Sequence, residues 1–428
     1  MPAKRLFAAF VVNTPLDEDR LKRAVWHVVA RHESLRTALE HIDGELFQVI
    51  RDPVEITDEP CVVVDWDGTR AGMRRIVVEL DDWWTVPRPL ALKVMMARSA
   101  DSRTLLLCLF NHACVDGMSV ELVFDQIRRR YSGDGRADEA VPTQFADYYA
   151  GMVEDGLRVA LDDWITLLDR VEPVVPPWML ESKLAADRAH IGTINWSFAE
   201  DTVALARAAA RSRLCSQFEV LAAAAGIYFR RPDRAPAAIG VVHSGRHRAG
   251  GFDVVGLLRG FVVDVVEVGA GVTTATATAA GRDALRSALA HYARLPFEEV
   301  CRRSGRSPGW RTGSLGLWEV ELNGTFARGL LGSMDDCAVH AAHLGQSEEV
   351  WCENGGPLLM IFFTIGGGGI TGELRYIRPP VDGDMAACIA RGIEDTVRFL
   401  QAGSDEPVDR APAFHRLAGW SEPGSGRG

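Results

Sequence analysis

Six consecutive apolar residues, Leu105 to Phe110, lead straight into Asn111-His112-Ala113-Cys114-Val115-Asp116-Gly117, after which the hydrophobic period changes. The run before the break is short and apolar enough for a buried strand, and beyond it Val120, Val123, Phe124 and Ile127 recur on one helical face. Ser119 can cap that helix, and Gly133 lies just past its end. A fully apolar strand joined to an amphipathic helix by a short polar turn predicts a mixed α/β fold, with the turn at the mouth of the strand.

The same mixture extends through the 428 residues. The opening MPAKRLFAAFVV predicts a first strand rather than a secretory leader, because no small-residue cleavage pattern follows its apolar stretch. From Asp17, the residues Leu21, Ala24, Val25, Val28 and Val29 repeat at helical spacing and predict a helix leading into RHESLRTALE. Short β-like stretches fill 43–110, and a second helical region covers Thr143 to Leu168. Prolines and charged residues over 172–192 predict a linker between a first lobe at 1–171 and a second at 193–403, with 404–428 as a tail. The second half predicts strands at TINWSF, AAIGVV, 261–268, 315–322 and 358–365 among helices near 201–213, after Ser216, near 274–292 and near 384–401. Gly366 to Gly369 read as a hairpin turn.

Composition narrows the function classes. A formal charge of −11 provides no global field for phosphate backbones, which argues against a nucleic-acid partner. The longest apolar run, Val220 to Phe229, is far shorter than the roughly 20 residues of a membrane span. Eight scattered cysteines in a chain long enough to need no staples predict reduced thiols and a cytoplasmic protein. No phosphate-cradling glycine loop follows a strand, so no nucleotide and no intrinsic cofactor is expected.

The chemistry concentrates in the turn. His112 is an imidazole whose ordinary pKa lies near the working pH, suited to taking a proton from an attacking amine or hydroxyl. Asp116 has two readings: it orients His112 as in a hydrolase triad, or it pairs with an arginine and holds the loop. We favour the pair, with Arg36 as the expected bidentate donor. Gly117 would let a substrate approach the backbone closely. Taken alone, HxxxDG fits equally a satisfied core histidine beside a capping aspartate.

The surrounding segments decide between these. RHESLRT from Arg31 resembles the RHxxLRT pattern of the condensation domains of nonribosomal peptide synthesis, and the segment around His112 resembles their HHxxxDG signature. TQFADYY with the later Asp163 and Trp164, IGVVHSGR from Ile239 to Arg246, LPFEEV after Arg294, and GELRYIRP from Gly372 follow in the family's order. The resemblance implies two chloramphenicol acetyltransferase-like lobes in a pseudo-dimer, with a tunnel between them for a donor and an acceptor. It implies that His112 promotes attack on a phosphopantetheine thioester held by an acyl or peptidyl carrier protein, or on an acyl-CoA, and that Asp116 is structural. The acceptor would be a small-molecule amine or alcohol, and the product an amide or ester. Asn111 stands where the family has its first histidine, a position that is not the base. With neither an adenylation nor a carrier segment recognisable, the expectation is a free-standing enzyme whose carrier acts in trans.

Three other signals carry less. Cys337, His340 and His343 form CxxHxxH without a fourth ligand at matching spacing, so no zinc site is assigned. His243 and His247 flank Ser244 and Arg246 without a nucleophile elbow, which reads as a solvated turn. Arg128 to Arg130 and Arg302, Arg303 and Arg306 could receive an acidic carrier, though charged helix faces are common.

Overall fold

A computed structural model describes residues 5–69, 71–73, 75–76, 90–133, 142–157, 160–185, 189–231, 236–266, 269, 271–305, 320–326, 333–334, 337–341, 350–352, 357–402 and 406–417. The fold is mixed α/β, and the chain divides into two compact units. The first comprises Met1–Gly151 together with two later segments, Ser244–Arg259 and Arg328–Gln346. The second comprises Met152–His243, Gly260–Ala327 and Ser347–Gly428.

In the first unit, β1 (Arg5–Val12) leads to α1 (Glu18–Arg31), whose buried residues Leu21, Ala24, Val25, Val28 and Val29 are those the spacing predicted. A hairpin of β2 (Thr37–Ile42) and β3 (Glu45–Ile50) follows, then β4 (Cys61–Trp66), β5 (Leu92–Ser99), β6 (Thr104–Asn111) and α2 (Gly117–Tyr131). The sheet order is Ser333–Met334, Cys337–Ala341, β1, β6, β5, β4, so β6 lies inside the sheet with antiparallel partners on both edges. Every residue of β6 is buried because both faces are covered. Leu106, Cys108 and Phe110 pack with α1 and α2 residues such as Val25 and Phe124, while Leu105, Leu107 and Leu109 pack with Trp66, Met73 and Ile76. An alternating strand would have left one face wet; this one reads as a continuous apolar run because neither face is.

Among the described residues the second unit is built on an eight-stranded sheet whose central strands are Val320–Phe326, Leu359–Gly366 and Gly369–Arg378. Helices Glu200–Ser212, Gln217–Tyr228, Thr274–His291 and Gly383–Ala402 supply its main core. Ser216 closes a capping box with Glu219 at the start of the alanine-rich helix. Within the expected linker, residues form a short strand at Glu172–Pro173, the helix Pro177–Ala185 and the start of the strand Ala189–Ser197. Residues 406–417, inside the expected tail, are packed rather than loose. Val408, Ala411 and Phe414 are buried in the main core, and Arg230 donates to the carbonyls of Ala411 and Pro412, both at 2.9 Å. Three apolar side chains among prolines and charges are too sparse for a periodicity argument, which is why the segment looked like a tail. No described helix is long and apolar enough to cross a membrane.

Candidate active site

The turn after β6 is held by its own side chains. Asn111 is buried, and its Oδ1 accepts a hydrogen bond from Ala113 N at 3.0 Å, while its carbonyl accepts from the amides of Cys114 and Val115. Asparagine thus keeps an acceptor at the position where the resembled signature has its first histidine.

His112 is half-buried, and its Nδ1 lies 2.8 Å from Val115 O. A carbonyl only accepts, so Nδ1 carries the hydrogen, and the neutral ring has its lone pair on Nε2. The main chain of its own loop therefore sets the tautomer. Asp116 points elsewhere, which removes the triad reading.

The neighbouring Cys114 is no rival nucleophile. Burial pushes its thiol up to about 12, and Sγ lies 3.7 Å from Thr37 O. A reactive cysteine needs the opposite shift.

Asp116 is 2 % exposed and collects donors from both sides. It is the N-cap of α2, with Oδ1 accepting from Ser119 N at 2.9 Å. The cap is thus Asp116 rather than Ser119, whose hydroxyl instead joins the network at 2.8 Å from Oδ1. The charge partner of Asp116 is Arg246, not Arg36. Arg246 Nη1 donates to Oδ2 at 2.8 Å and Nη2 to Oδ1 at 2.9 Å, and the amides of Leu258 and Arg259 complete Oδ2 at 2.9 and 3.0 Å. Such a bidentate pair, with further donors on both oxygens, is the arrangement in which a buried ion pair tolerates its lost hydration.

Arg246 reaches this place because the segment Ser244–Arg259 belongs to the first unit. Ser119 Oγ lies 2.8 Å from Gly256 O and accepts from Gly256 N at 3.0 Å, while Ser34 Oγ donates to Val255 O at 2.8 Å. Tyr148 OH donates to Gly245 O at 3.2 Å. Gly245 has φ +68°, and a Cβ there would collide with the Leu258 carbonyl, so both the turn and its close approach require glycine. The solvated turn expected around Ser244 and Arg246 holds for Ser244 and His247, which are exposed, and is corrected only at Arg246, which is 1 % exposed. The signal available was an arginine three residues past the end of the apolar strand Ala237–His243, in the same chain as an aspartate that needed a bidentate partner.

Arg36 has a different task. Its Nη1 donates to Arg51 O at 2.5 Å, and its carbonyl accepts from Arg51 N at 3.0 Å, closing the base of the β2–β3 hairpin. Gly117 is exposed, and a Cβ on it would meet no atom of the described residues within 4 Å. Packing among the described residues therefore does not demand glycine there.

The remaining candidates do not gather. Arg128 and Arg129 pair with Asp125 on their own helix, and Arg302 and Arg303 pair with Glu299, whose carboxyl their hydrogen bonds lower to about 2. Arg306 and His343 lie outside the described residues. Among the described residues no group of three histidine, cysteine or acidic side chains could hold a metal ion.

The family described as Condensation domain matches residues 6–309. A linear gramicidin synthase of Brevibacillus parabrevis is 28% identical over 184 residues, 39% of this chain and 3% of that protein. The polyketide synthase-nonribosomal peptide synthetase pyiS of Pyricularia grisea is 22% identical over 302 residues, 68% of this chain and 7% of its own length. The chain thus spans only a few per cent of these relatives. Among solved structures, SgcC5 of Streptomyces globisporus has a TM-score of 0.71 at 17% identity, covering 95% of this chain and 94% of that one. The X-domain from teicoplanin biosynthesis has a TM-score of 0.72 at 18% identity, covering 96% and 93%. These likenesses establish a shared fold.

Proposed function

The chain belongs to the condensation-domain family, and from that premise we propose that it joins a carrier-bound acyl or aminoacyl thioester to an amine or hydroxyl acceptor. The observation that carries this reading is the Nδ1 bond of His112 to Val115 O, which leaves the proton-accepting lone pair on Nε2.

In the proposed step the acceptor nitrogen or oxygen attacks the thioester carbonyl carbon, and Nε2 takes the acceptor's proton. The tetrahedral intermediate then collapses, the carbon–sulfur bond breaks, and the departing phosphopantetheine thiolate receives a proton from the imidazolium. The products are an amide or ester and the free carrier thiol. His112 would act as general base, an effect worth roughly 10²–10⁴-fold. Asp116 and Arg246 are assigned to holding the loop, Asn111 to closing its turn, and Gly117 to leaving room at the start of α2.

A second reading is favoured by Asn111, the departure from the paired histidines. One solved neighbour is a complex of the X-domain with OxyB, and by analogy this chain could recruit a partner instead of catalysing. Acyl discharge separates the two. Carrier proteins loaded with acyl thioesters are mixed with the protein and a panel of amines and alcohols, and acyl loss is read by intact mass. His112→Ala and acyl-CoA donors are run in parallel. Acceptor-dependent discharge that needs His112 supports condensation and identifies the donor class. Binding of loaded carrier with no discharge from either donor would favour recruitment.

A further inference from the structure

The hairpin of β2 and β3 pairs with no other strand among the described residues. Thr37 and Ala38 at its base are buried, whereas β3 is exposed at every position but Val49. Five of the seven large apolar side chains exposed in the described chain belong to this hairpin and the turn after it: Ile42, Leu46, Phe47, Ile50 and Val54, at 42–89% exposure. Ile42 and Phe47 lie on one face of the ribbon and Leu46 and Ile50 on the other, given the pairing of Ile42 with Glu45 and Glu40 with Phe47. Asp43 and Gly44, with φ of 53° and 87°, make the tight turn, and the Arg36–Arg51 bonds clamp the base. A two-stranded ribbon is marginal in water, and an open apolar edge is an invitation to pair.

Charge identifies what would pair with it. From Glu40 to Glu59 the sequence carries seven carboxylates against the one guanidinium of Arg51, more than half of the excess negative charge of the whole chain. Arg51 is taken by Glu40, and Lys22 lies 3.9 Å from Glu59. Asp43, Glu45 and Glu55 have no cation within ion-pair distance among the described residues. A second copy on this edge would set carboxylates against carboxylates, which is unfavourable directly across a strand pair.

We propose that the outer edge of β3 docks an extended polypeptide segment of alternating basic and apolar residues, added as a third strand. Main-chain hydrogen bonds would supply affinity, Leu46 and Ile50 would receive its apolar side chains, and Glu45 with the acids after β3 would select for lysine or arginine.

The test uses the full chain, a capped octapeptide alternating lysine and valine, and its glutamate–valine counterpart. The lysine peptide slows hydrogen exchange across 45–50, the glutamate peptide does not, and the exposed double substitution Glu45→Lys/Glu55→Lys weakens binding by about tenfold or more. Protection confined to other segments, an equal response to both peptides, or indifference to the charge reversal would overturn the proposal. So would a concentration-dependent dimer abolished by Leu46→Ser, because the edge would then belong to a second copy.

Discussion

Asp116 and Arg246 stand 130 positions apart in sequence yet share two N–H···O bonds of 2.8 and 2.9 Å where neither side chain is more than 2% exposed. Removing one member strands the other's charge in the interior. Arg246→Ala should therefore cost about 3–5 kcal/mol in urea unfolding, and Asp116→Ala a similar amount. Replacing both with apolar side chains of similar volume should cost less than either single change. Additive losses in that double-mutant cycle would show that the two residues act independently.

Asn111 makes one bond that alanine cannot. Asn111→Ala should lower stability by about 1 kcal/mol and reduce acyl transfer through loosening of the His112 turn. Asn111→Asp keeps the acceptor for Ala113 N and should retain most of the activity. Thermal unfolding and the carrier-discharge assay, run on both variants, check this.

Asp264 lies on the strand Gly260–Val266 opposite Ile239, 1% exposed, and its Oδ1 has no hydrogen-bond partner among the described residues. Burial raises its carboxyl to about 7 from 3.8. The folded state therefore holds a proton that the unfolded chain releases at lower pH, so this group makes stability fall as pH rises from about 4 to 7. The loss levels off above the folded value. Asp264→Asn removes the penalty and should be more stable than the natural chain at pH 8, by an amount on the order of a few kcal/mol, with the gap closing toward pH 4. A gap independent of pH across denaturant titrations would contradict the assignment.

Phe414 is 2% exposed and packs on the rings of Phe229 and Tyr228. Phe414→Ala should cost about 3–5 kcal/mol, measured by denaturant unfolding. A change near zero would mean that this segment contributes no core.

Sequence made the first unit legible where a single period dominates. α1 and β6 followed from apolar spacing and run length, and the turn at His112 followed from the change of period between β6 and α2. What stayed hidden depends on pairing through space. Arg246 sits among histidines, serine and glycine and has the local look of surface; only the carboxylate of Asp116 gives it reason to be inside. Arg36 carried the right charge near the right helix, but its reach is spent on the carbonyl of Arg51. Residues 406–417 have too few apolar positions for any period to register.

The recruitment of Ser244–Arg259 and Arg328–Gln346 into the first unit bears on how a ribosome can make it. When residue 151 has emerged, Asp116 lacks its counter-charge and β1 lacks the strand Cys337–Ala341 along one edge. The amino-terminal unit must then wait, incomplete, while most of the other is translated. Vectorial synthesis completes the unit that starts first only once Ala341 has emerged, and a gene fragment ending at 151 should give an insoluble product rather than a smaller version of it.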